Sequence, residues 1–232
     1  MKLYGMEKLS LVDYDGHIAS TVFTGACNFR CGFCHNSPLV LDVKSLQVIS
    51  EEEVIDYLKK RKGILDGLCI TGGEPTLNSD LPSFCEKVKN IGYNVKIDTN
   101  GTNPEMVKYL AENKLADYFA MDIKNDKSNY GEIIGIKNYD TKTVEKTVEF
   151  FLTNDYEYEF RTTLIAEYHK KENIEEIGKW IKGAKRYSMQ KFKEVNTCIS
   201  LGLHAVSDEQ AKEFLEIIKN YVKESKLRGY DL

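Results

Sequence analysis

The sequence is organised around one loop, Cys27-Asn28-Phe29-Arg30-Cys31-Gly32-Phe33-Cys34. Its three thiols follow one another at a Cys-x3-Cys-x2-Cys spacing, just after the apolar run 18–24. Thiolates are soft ligands that select iron–sulfur clusters, zinc or Cu(I). Structural zinc is almost always closed by four protein ligands, whereas a cubane cluster held by three cysteines keeps one iron open. The loop therefore predicts a metal centre with a vacant coordination position.

The rest of the chain alternates apolar runs with helix signals. Runs rich in β-branched and aromatic residues predict six strands, at residues 18–24, 68–71, 93–99, 117–123, 156–164 and 189–196. Capping residues and apolar periodicity predict a helix after each strand or the loop that follows it, beginning near Glu51, Leu81, Pro104, Thr141, Glu172 and Ser207. Six such units imply an α/β fold with parallel strands and right-handed crossovers.

Polar and glycine residues collect where the predicted strands end. The cysteine loop follows the first strand, and the next three strands are followed or ended by Gly72-Gly73-Glu74-Pro75, Asp98-Thr99-Asn100-Gly101 and Asp122-Ile123-Lys124. In an α/β barrel the working residues lie at the carboxyl ends of the strands. We therefore expect these segments to share one rim.

The cysteine loop, with Phe33 as the aromatic residue before its last cysteine, resembles the signature of radical S-adenosylmethionine (SAM) enzymes. The sequence from Asp13 to Arg161 is similar to the activating enzymes of glycyl-radical proteins, most of all the activase of anaerobic ribonucleoside-triphosphate reductase. Asp15 replaces a proline common in these relatives and Ala26 replaces a glycine, but neither change removes a ligand. The resemblance implies a partial (β/α)6 TIM barrel.

The same resemblance implies one radical SAM domain over residues 1–232, with its core at about 16–205 and a C-terminal helix at about 207–223. Cys27, Cys31 and Cys34 would hold a [4Fe–4S] cluster whose open iron is chelated by SAM. An electron from a donor such as flavodoxin or ferredoxin would cleave SAM, and the 5′-deoxyadenosyl radical would take a hydrogen atom from a glycine of the partner enzyme. No side chain beyond the cluster and SAM is expected to be catalytic.

The family also implies roles for the polar residues. The expected cofactor-binding residues are Phe33, His35, Gly72, Gly73, Glu74, Asp98, Lys124, Arg161 and His204. Asp13 would contact the glycine loop of the substrate protein. Two neighbouring carboxylates repel unless a cation or hydrogen bonds neutralise them, so a monovalent Na⁺ or K⁺ ion is expected at Asp98, Thr99 and Asp122.

Simpler pairings remain open for these charges. Asp122 could pair only with Lys124, and Arg161 could pair with Glu159 or Asp122. Three other functions also remain open. The chain could activate pyruvate formate-lyase, could resemble 7-carboxy-7-deazaguanine synthase, or could be a zinc-binding module in which His35 or Cys69 is the fourth ligand.

Composition narrows the class of protein. The 232 residues are 42% hydrophobic with a net charge of −4, which lacks the basic footprint of a nucleic-acid-binding protein. No apolar run suggests a membrane span, and the first 16 residues have no secretory h-region. We expect a reduced, cytoplasmic protein in which Cys69, Cys85 and Cys198 are buried. His17 and His169 are expected at the surface, and residues 124–140 as a mobile lid.

Overall fold

The computed structural model describes residues 1–231. Its strands are β1 (Leu3–Ser10), β2 (Ala19–Thr24), β3 (Gly67–Gly72), β4 (Asn94–Thr99), β5 (Tyr118–Asp122), β6 (Tyr158–Leu164), β7 (Arg186–Lys191) and β8 (Glu224–Arg228). Its helices are α1 (Ser37–Leu41), α2 (Glu51–Lys60), α3 (Leu81–Asn90), α4 (Pro104–Glu112), α5 (Tyr130–Ile133), α6 (Lys142–Thr153), α7 (Lys171–Trp180) and α8 (Asp208–Ile218). No helix within residues 1–231 is both long and apolar enough to cross a membrane.

Five of the six predicted strands are present near their expected bounds, the sixth lies at Arg186–Lys191 where 189–196 was predicted, and the structure adds β1 and β8. In β1 only the first and last residues, Leu3 and Ser10, are buried, and in β8 only Leu227 is buried. Strands that bury so few side chains lack the apolar pattern by which a strand is recognised. The last helix ends at Ile218, five residues before the predicted end, because β8 follows it.

The first of two compact units comprises Met1–Asn28 and Pro38–Ala120. Within it β1 pairs antiparallel with β2, while β2–β3 and β3–β4 are parallel. Thr24 lies opposite Gly72, and Ile70 opposite Ile97, so the carboxyl ends of these parallel strands lie at one edge. The predicted capping box begins α2: Glu53 N donates to Ser50 Oγ and Ser50 N donates to Glu53 Oε2.

The second unit comprises Phe29–Ser37 together with Met121 and the described residues after it. Strands β6, β7 and β8 are parallel neighbours in it. Phe151 stacks on Tyr158 with ring centroids 4.9 Å apart, which packs α6 against β6. Residues 124–140 are a packed segment where a mobile lid was expected: Tyr130 on α5 is completely buried and stacks on Tyr139.

Candidate functional site

In the first unit, the Gly72-Gly73 turn after β3 passes against the chain that leads to Cys27. Gly73 N donates to Thr24 O at 2.9 Å, and Glu74 N donates to Ala26 O at 2.8 Å. A Cβ atom on Gly73 would lie 1.9 Å from Ala26 O, and Gly72 has a φ of +114°. Both positions therefore require glycine, one for close approach and one for its backbone angle.

Glu74 is buried at this turn, with 1% of its surface exposed. Its carboxylate accepts hydrogen bonds from Thr76 N and Oγ1 (3.1 and 2.6 Å), Thr99 Oγ1 (2.7 Å) and Asn100 N (2.6 Å). Burial raises the pKa of Glu74, and these hydrogen bonds oppose that shift without cancelling it. Glu74 thus joins the ends of β3 and β4, and its expected contact with SAM remains a prediction.

Asn100 lies beside the first cysteine in the same unit. Its Nδ2 is 3.9 Å from Cys27 Sγ and donates to Asn28 Oδ1 at 2.9 Å. Its Oδ1 accepts from Thr102 Oγ1 at 2.7 Å, which fixes the orientation of the amide. Asn100 therefore orients the start of the cysteine loop, a role that the sequence analysis did not assign to it.

Lys96 is a second residue that sequence reasoning missed. It lies on β4 between buried Val95 and Ile97, and only 3% of it is exposed. Its Nζ lies 2.8 Å from Asp98 Oδ1 and donates to Asp13 O at 2.5 Å. Asp13 is further held by a 2.6 Å hydrogen bond from Thr21 Oγ1. A cation inside an apolar strand was the signal that marked Lys124 and Arg161, and it could have marked Lys96.

In the second unit, the rest of the cysteine loop is anchored by backbone hydrogen bonds. Cys34 N donates to Cys31 O at 3.0 Å, which closes a tight turn between the two thiols. Arg30 N donates to Ile134 O at 2.9 Å, and Ser200 N donates to Gly32 O at 2.8 Å. Ile134, within the packed segment 124–140, and Ser200 therefore both hold the loop in place.

Three charged side chains lie together in the second unit. Asp122 pairs with Lys124 at 2.9 Å and with the Nε of Arg161 at 3.0 Å. Burial lowers the pKa of Lys124, but the negative charges of Asp122 and Cys31 raise it by a larger amount. The net pKa is therefore above its ordinary value, and Lys124 stays protonated. Burial raises the pKa of the Cys34 thiol, and the Asn36 backbone hydrogen bond and the Lys124 ammonium oppose that shift without cancelling it. Of the two simpler partners considered for Arg161, which were Glu159 and Asp122, Asp122 forms the ion pair.

The two aromatic candidates of the loop pack against Phe192. Phe33 meets its ring edge-on at a centroid distance of 6.5 Å, and His35 stacks on it at 5.7 Å. The Lys124 Nζ lies 5.6 Å from the centroid of the Phe33 ring, within reach of a cation–π contact. Phe33 is thus fixed beside the charged residues, while His35 is exposed.

The remaining histidines differ in burial. His169 is buried, contrary to the surface position expected for it: Ile165 N donates to its Nδ1 at 2.9 Å, and its Nε2 donates to Lys124 O at 3.0 Å. His204 is exposed, and its Nδ1 lies 2.7 Å from Glu167 Oε1. His169 therefore fixes the backbone at Lys124, while the expected cofactor contact of His204 stays a prediction.

The donor chemistry fits an iron–sulfur cluster. All six cysteines are free thiols, and three of them lie at the Cys-x3-Cys-x2-Cys spacing. Cys27 belongs to the first unit, and Cys31 and Cys34 belong to the second. Within neither unit do the described residues bring three or more His, Cys, Asp or Glu side chains together as a metal site. The ligand set is therefore inferred from spacing and donor type.

The oxygens expected around a monovalent cation are already engaged. The Asp98 carboxylate lies against Lys96, and the Asp122 carboxylate pairs with Lys124 and Arg161. The Thr99 hydroxyl donates to Glu74. These residues do not fit a site built for a free cation.

A radical SAM enzyme is the class that this fold and cysteine loop define, because the family model of the Radical SAM superfamily matches residues 21–184. The chain belongs to this superfamily. Membership implies a [4Fe–4S] cluster and SAM.

Three known proteins show how this chain relates to others. It is 32% identical over 226 residues to the "Putative glycyl-radical enzyme activating enzyme MJ1227" of Methanocaldococcus jannaschii, a match covering 94% of this chain and 92% of that protein. It is 31% identical over 138 residues to the 7-carboxy-7-deazaguanine synthase of Koribacter versatilis, covering 58% of this chain and 56% of that enzyme.

The third is the crystal structure of Streptococcus suis SuiB, which superimposes with a TM-score of 0.71 at 16% identity. The match covers 91% of this chain but 49% of SuiB, so the chain spans about half the length of that protein. At this identity the likeness concerns the fold. The likeness to SuiB agrees with the mostly parallel strands of this chain. The expected α/β fold of a partial barrel is therefore confirmed.

Proposed function

We propose that this chain activates a glycyl-radical enzyme and that its partner is anaerobic ribonucleoside-triphosphate reductase. The observation that carries the activase proposal is the Methanocaldococcus relative, because the match extends over nearly the full length of both proteins. The choice of partner is supported by the resemblance around residues 13–36. The synthase of Koribacter matches little more than half of either chain, and so supports a different small-molecule activity less strongly.

Each candidate residue has a place in this proposal. Cys27, Cys31 and Cys34 would hold the cluster, and Lys124 with Arg161 would bind the carboxylate of SAM. When bound, the cluster and SAM supply a one-electron reduction and the organic radical that abstracts hydrogen. The protein's own task is to hold SAM in one orientation and to exclude competing reactions.

Other residues support that orientation. Glu74 and Asn100 keep the β3 and β4 ends in place through the hydrogen bonds described above. Phe33 is fixed against Phe192, where it would face the adenine of SAM. Gly72 and Gly73 leave backbone groups near the edge at which SAM would lie. His35 and His204 would contact SAM from exposed positions. Asp13 would contact the glycine loop of the partner enzyme. A flavodoxin or ferredoxin in the cytoplasm would supply the electron to this single radical SAM domain.

The test is electron paramagnetic resonance of the partner after anaerobic incubation. The reduced, cluster-loaded protein, SAM and the reductase of the same organism should give the doublet of a glycyl radical. The Cys31→Ala variant, which lacks one cluster ligand, and a reductase with alanine at the radical glycine should each give no doublet.

Other outcomes would redirect the proposal. A doublet on a different glycyl-radical enzyme, such as pyruvate formate-lyase, with none on the reductase, would keep the chemistry and overturn the partner. Turnover of a small pterin-like substrate, with no radical on any such enzyme, would overturn the activase proposal in favour of the synthase-like activity.

A further inference from the structure

In the first unit, the buried ammonium of Lys96 forms an ion pair with the Asp98 carboxylate. The Lys96 side chain is 4% exposed and the Asp98 side chain is 16% exposed, so little water screens the 2.8 Å pair between them. Desolvated charges at this separation attract far more strongly than they do in bulk water. The ion pair with Lys96 therefore favours the ionised form of the Asp98 carboxylate.

The register of the sheet explains how Lys96 reaches this position. Thr21, Cys69 and Lys96 lie side by side across β2, β3 and β4, and their side chains share one face. Asp98 is two residues further along β4 on that same face, nearer the carboxyl edge. The Lys96 Nζ lies 4.0 Å from the Cys69 sulfur and donates a hydrogen bond to Asp13 O. These contacts hold the ammonium in the position from which it pairs with Asp98.

The negative charge of Asp122, at the end of β5, is also neutralised by cationic side chains. In the second unit, Asp122 has two cationic partners, Lys124 and Arg161. Each carboxylate to which the family resemblance assigns a monovalent ion is therefore already paired with a cation of its own unit.

We propose that the Lys96 ammonium replaces a bound monovalent cation: it neutralises Asp98 and holds that carboxylate ready for SAM. Lys96 is thus a positioning residue that acts through Asp98. The inference rests on the proposed placement of Asp98 beside SAM. It does not depend on which partner is activated.

The experiment measures SAM binding to the full, cluster-loaded chain by equilibrium dialysis. Sodium, potassium and tetramethylammonium chloride are compared at equal ionic strength, so that surface charges are screened equally. The wild type should bind SAM with the same Kd in all three salts. Lys96→Met should lose about ten-fold or more in tetramethylammonium, because it leaves a partly buried carboxylate without its cation. It should regain affinity in sodium or potassium, which are small enough to take the place of the ammonium.

Three variants act as controls. Lys96→Arg retains the charge and should bind SAM without a salt preference. Lys108→Met removes an exposed lysine, 52% accessible, on α4 and should behave like the wild type. The double variant Lys96→Met/Asp98→Asn removes both charges and should show no rescue by sodium or potassium. Circular dichroism verifies that each variant is folded.

Two results would overturn the inference. One is a wild type whose SAM affinity depends on sodium or potassium. The other is a folded Lys96→Met that binds SAM as tightly as the wild type in tetramethylammonium. If Lys96→Met fails to fold, the SAM affinities of the wild type in the three salts still test the inference. Because no partner protein is present, either result leaves the activase proposal standing, and a failure to activate any partner leaves this inference standing.

Discussion

The two units neutralise a carboxylate in opposite ways. In the first, Glu74 is buried and accepts hydrogen bonds from neutral donors of Thr76, Thr99 and Asn100. In the second, Asp122 is partly exposed and lies between two cations, Lys124 and Arg161. Neutral donors depend on the exact course of the backbone, whereas an ion cluster depends on charge balance. Glu74 therefore links the ends of β3 and β4 through hydrogen bonds, whereas Asp122 holds Lys124 and Arg161 together through ion pairs.

Replacing the central charge of the ion cluster should have the largest effect. Asp122→Asn leaves Lys124 and Arg161 close together without their anion, and we expect a loss of about 3 kcal/mol in unfolding free energy. Glu74→Gln, the matched change in the first unit, leaves no cation unpaired and should cost about 1–2 kcal/mol through one misdirected hydrogen bond to Asn100. Urea denaturation measures both. Equal losses of unfolding free energy, or a larger loss for Glu74→Gln, would contradict the difference proposed between Glu74 and Asp122.

The glycine turn offers a steric test of the first unit. Gly73→Ala would place Cβ 1.9 Å from Ala26 O, a backbone atom that cannot rotate away. We expect a loss of about 3 kcal/mol in unfolding free energy, at the upper end of overpacking costs. Gly5→Ala is the control, since its Cβ would lie 3.4 Å from the Phe23 ring. A Gly73→Ala variant as stable as Gly5→Ala would contradict the close approach of the two segments.

Acid should weaken the second unit through His169. Burial lowers its pKa from the ordinary 6.5 to about 4. The unfolded chain then binds a proton that the folded chain excludes, so this stability is complete above pH 6.5 and is lost as pH falls towards 4. At 1.36 kcal/mol per pKa unit, the loss is about 3 kcal/mol.

The measurement compares unfolding free energies of the wild type and His169→Gln at pH 7 and pH 4.5. Glutamine does not titrate, so the difference between the two proteins should narrow at the lower pH. A constant difference would show that His169 is accessible to protons in the folded chain.

The smallest effect is expected at Ala26, which has a φ of +64°. A left-handed backbone costs a residue with a Cβ about 1–2 kcal/mol. Ala26→Gly should remove that strain, although glycine gains entropy in the unfolded chain, so the net stabilisation should be about 1 kcal/mol or less. Thermal unfolding measures it. A lower melting temperature would show that Ala26 stabilises the turn through its methyl group.

Local motifs were enough to predict part of this arrangement. The cysteine spacing, the Gly72-Gly73 turn and the six strands are legible because each depends on neighbouring residues. Lys96, Asn100 and His169 were missed or misplaced, because each also contacts a residue far away in sequence, namely Asp13, Cys27 and Lys124 respectively, which folding brings close. Strands β1 and β8 were missed because they bury too few side chains to leave an apolar pattern.

The most direct test of reductase activation by this protein follows the hydrogen atom. The reduced protein is incubated anaerobically with SAM and a reductase carrying deuterium at the α-carbon of its radical glycine, and the 5′-deoxyadenosine is analysed by mass spectrometry. We expect one deuterium in this product, together with the glycyl-radical doublet on the reductase. Formation of 5′-deoxyadenosine without deuterium, at the same rate with and without the reductase, would contradict this expectation.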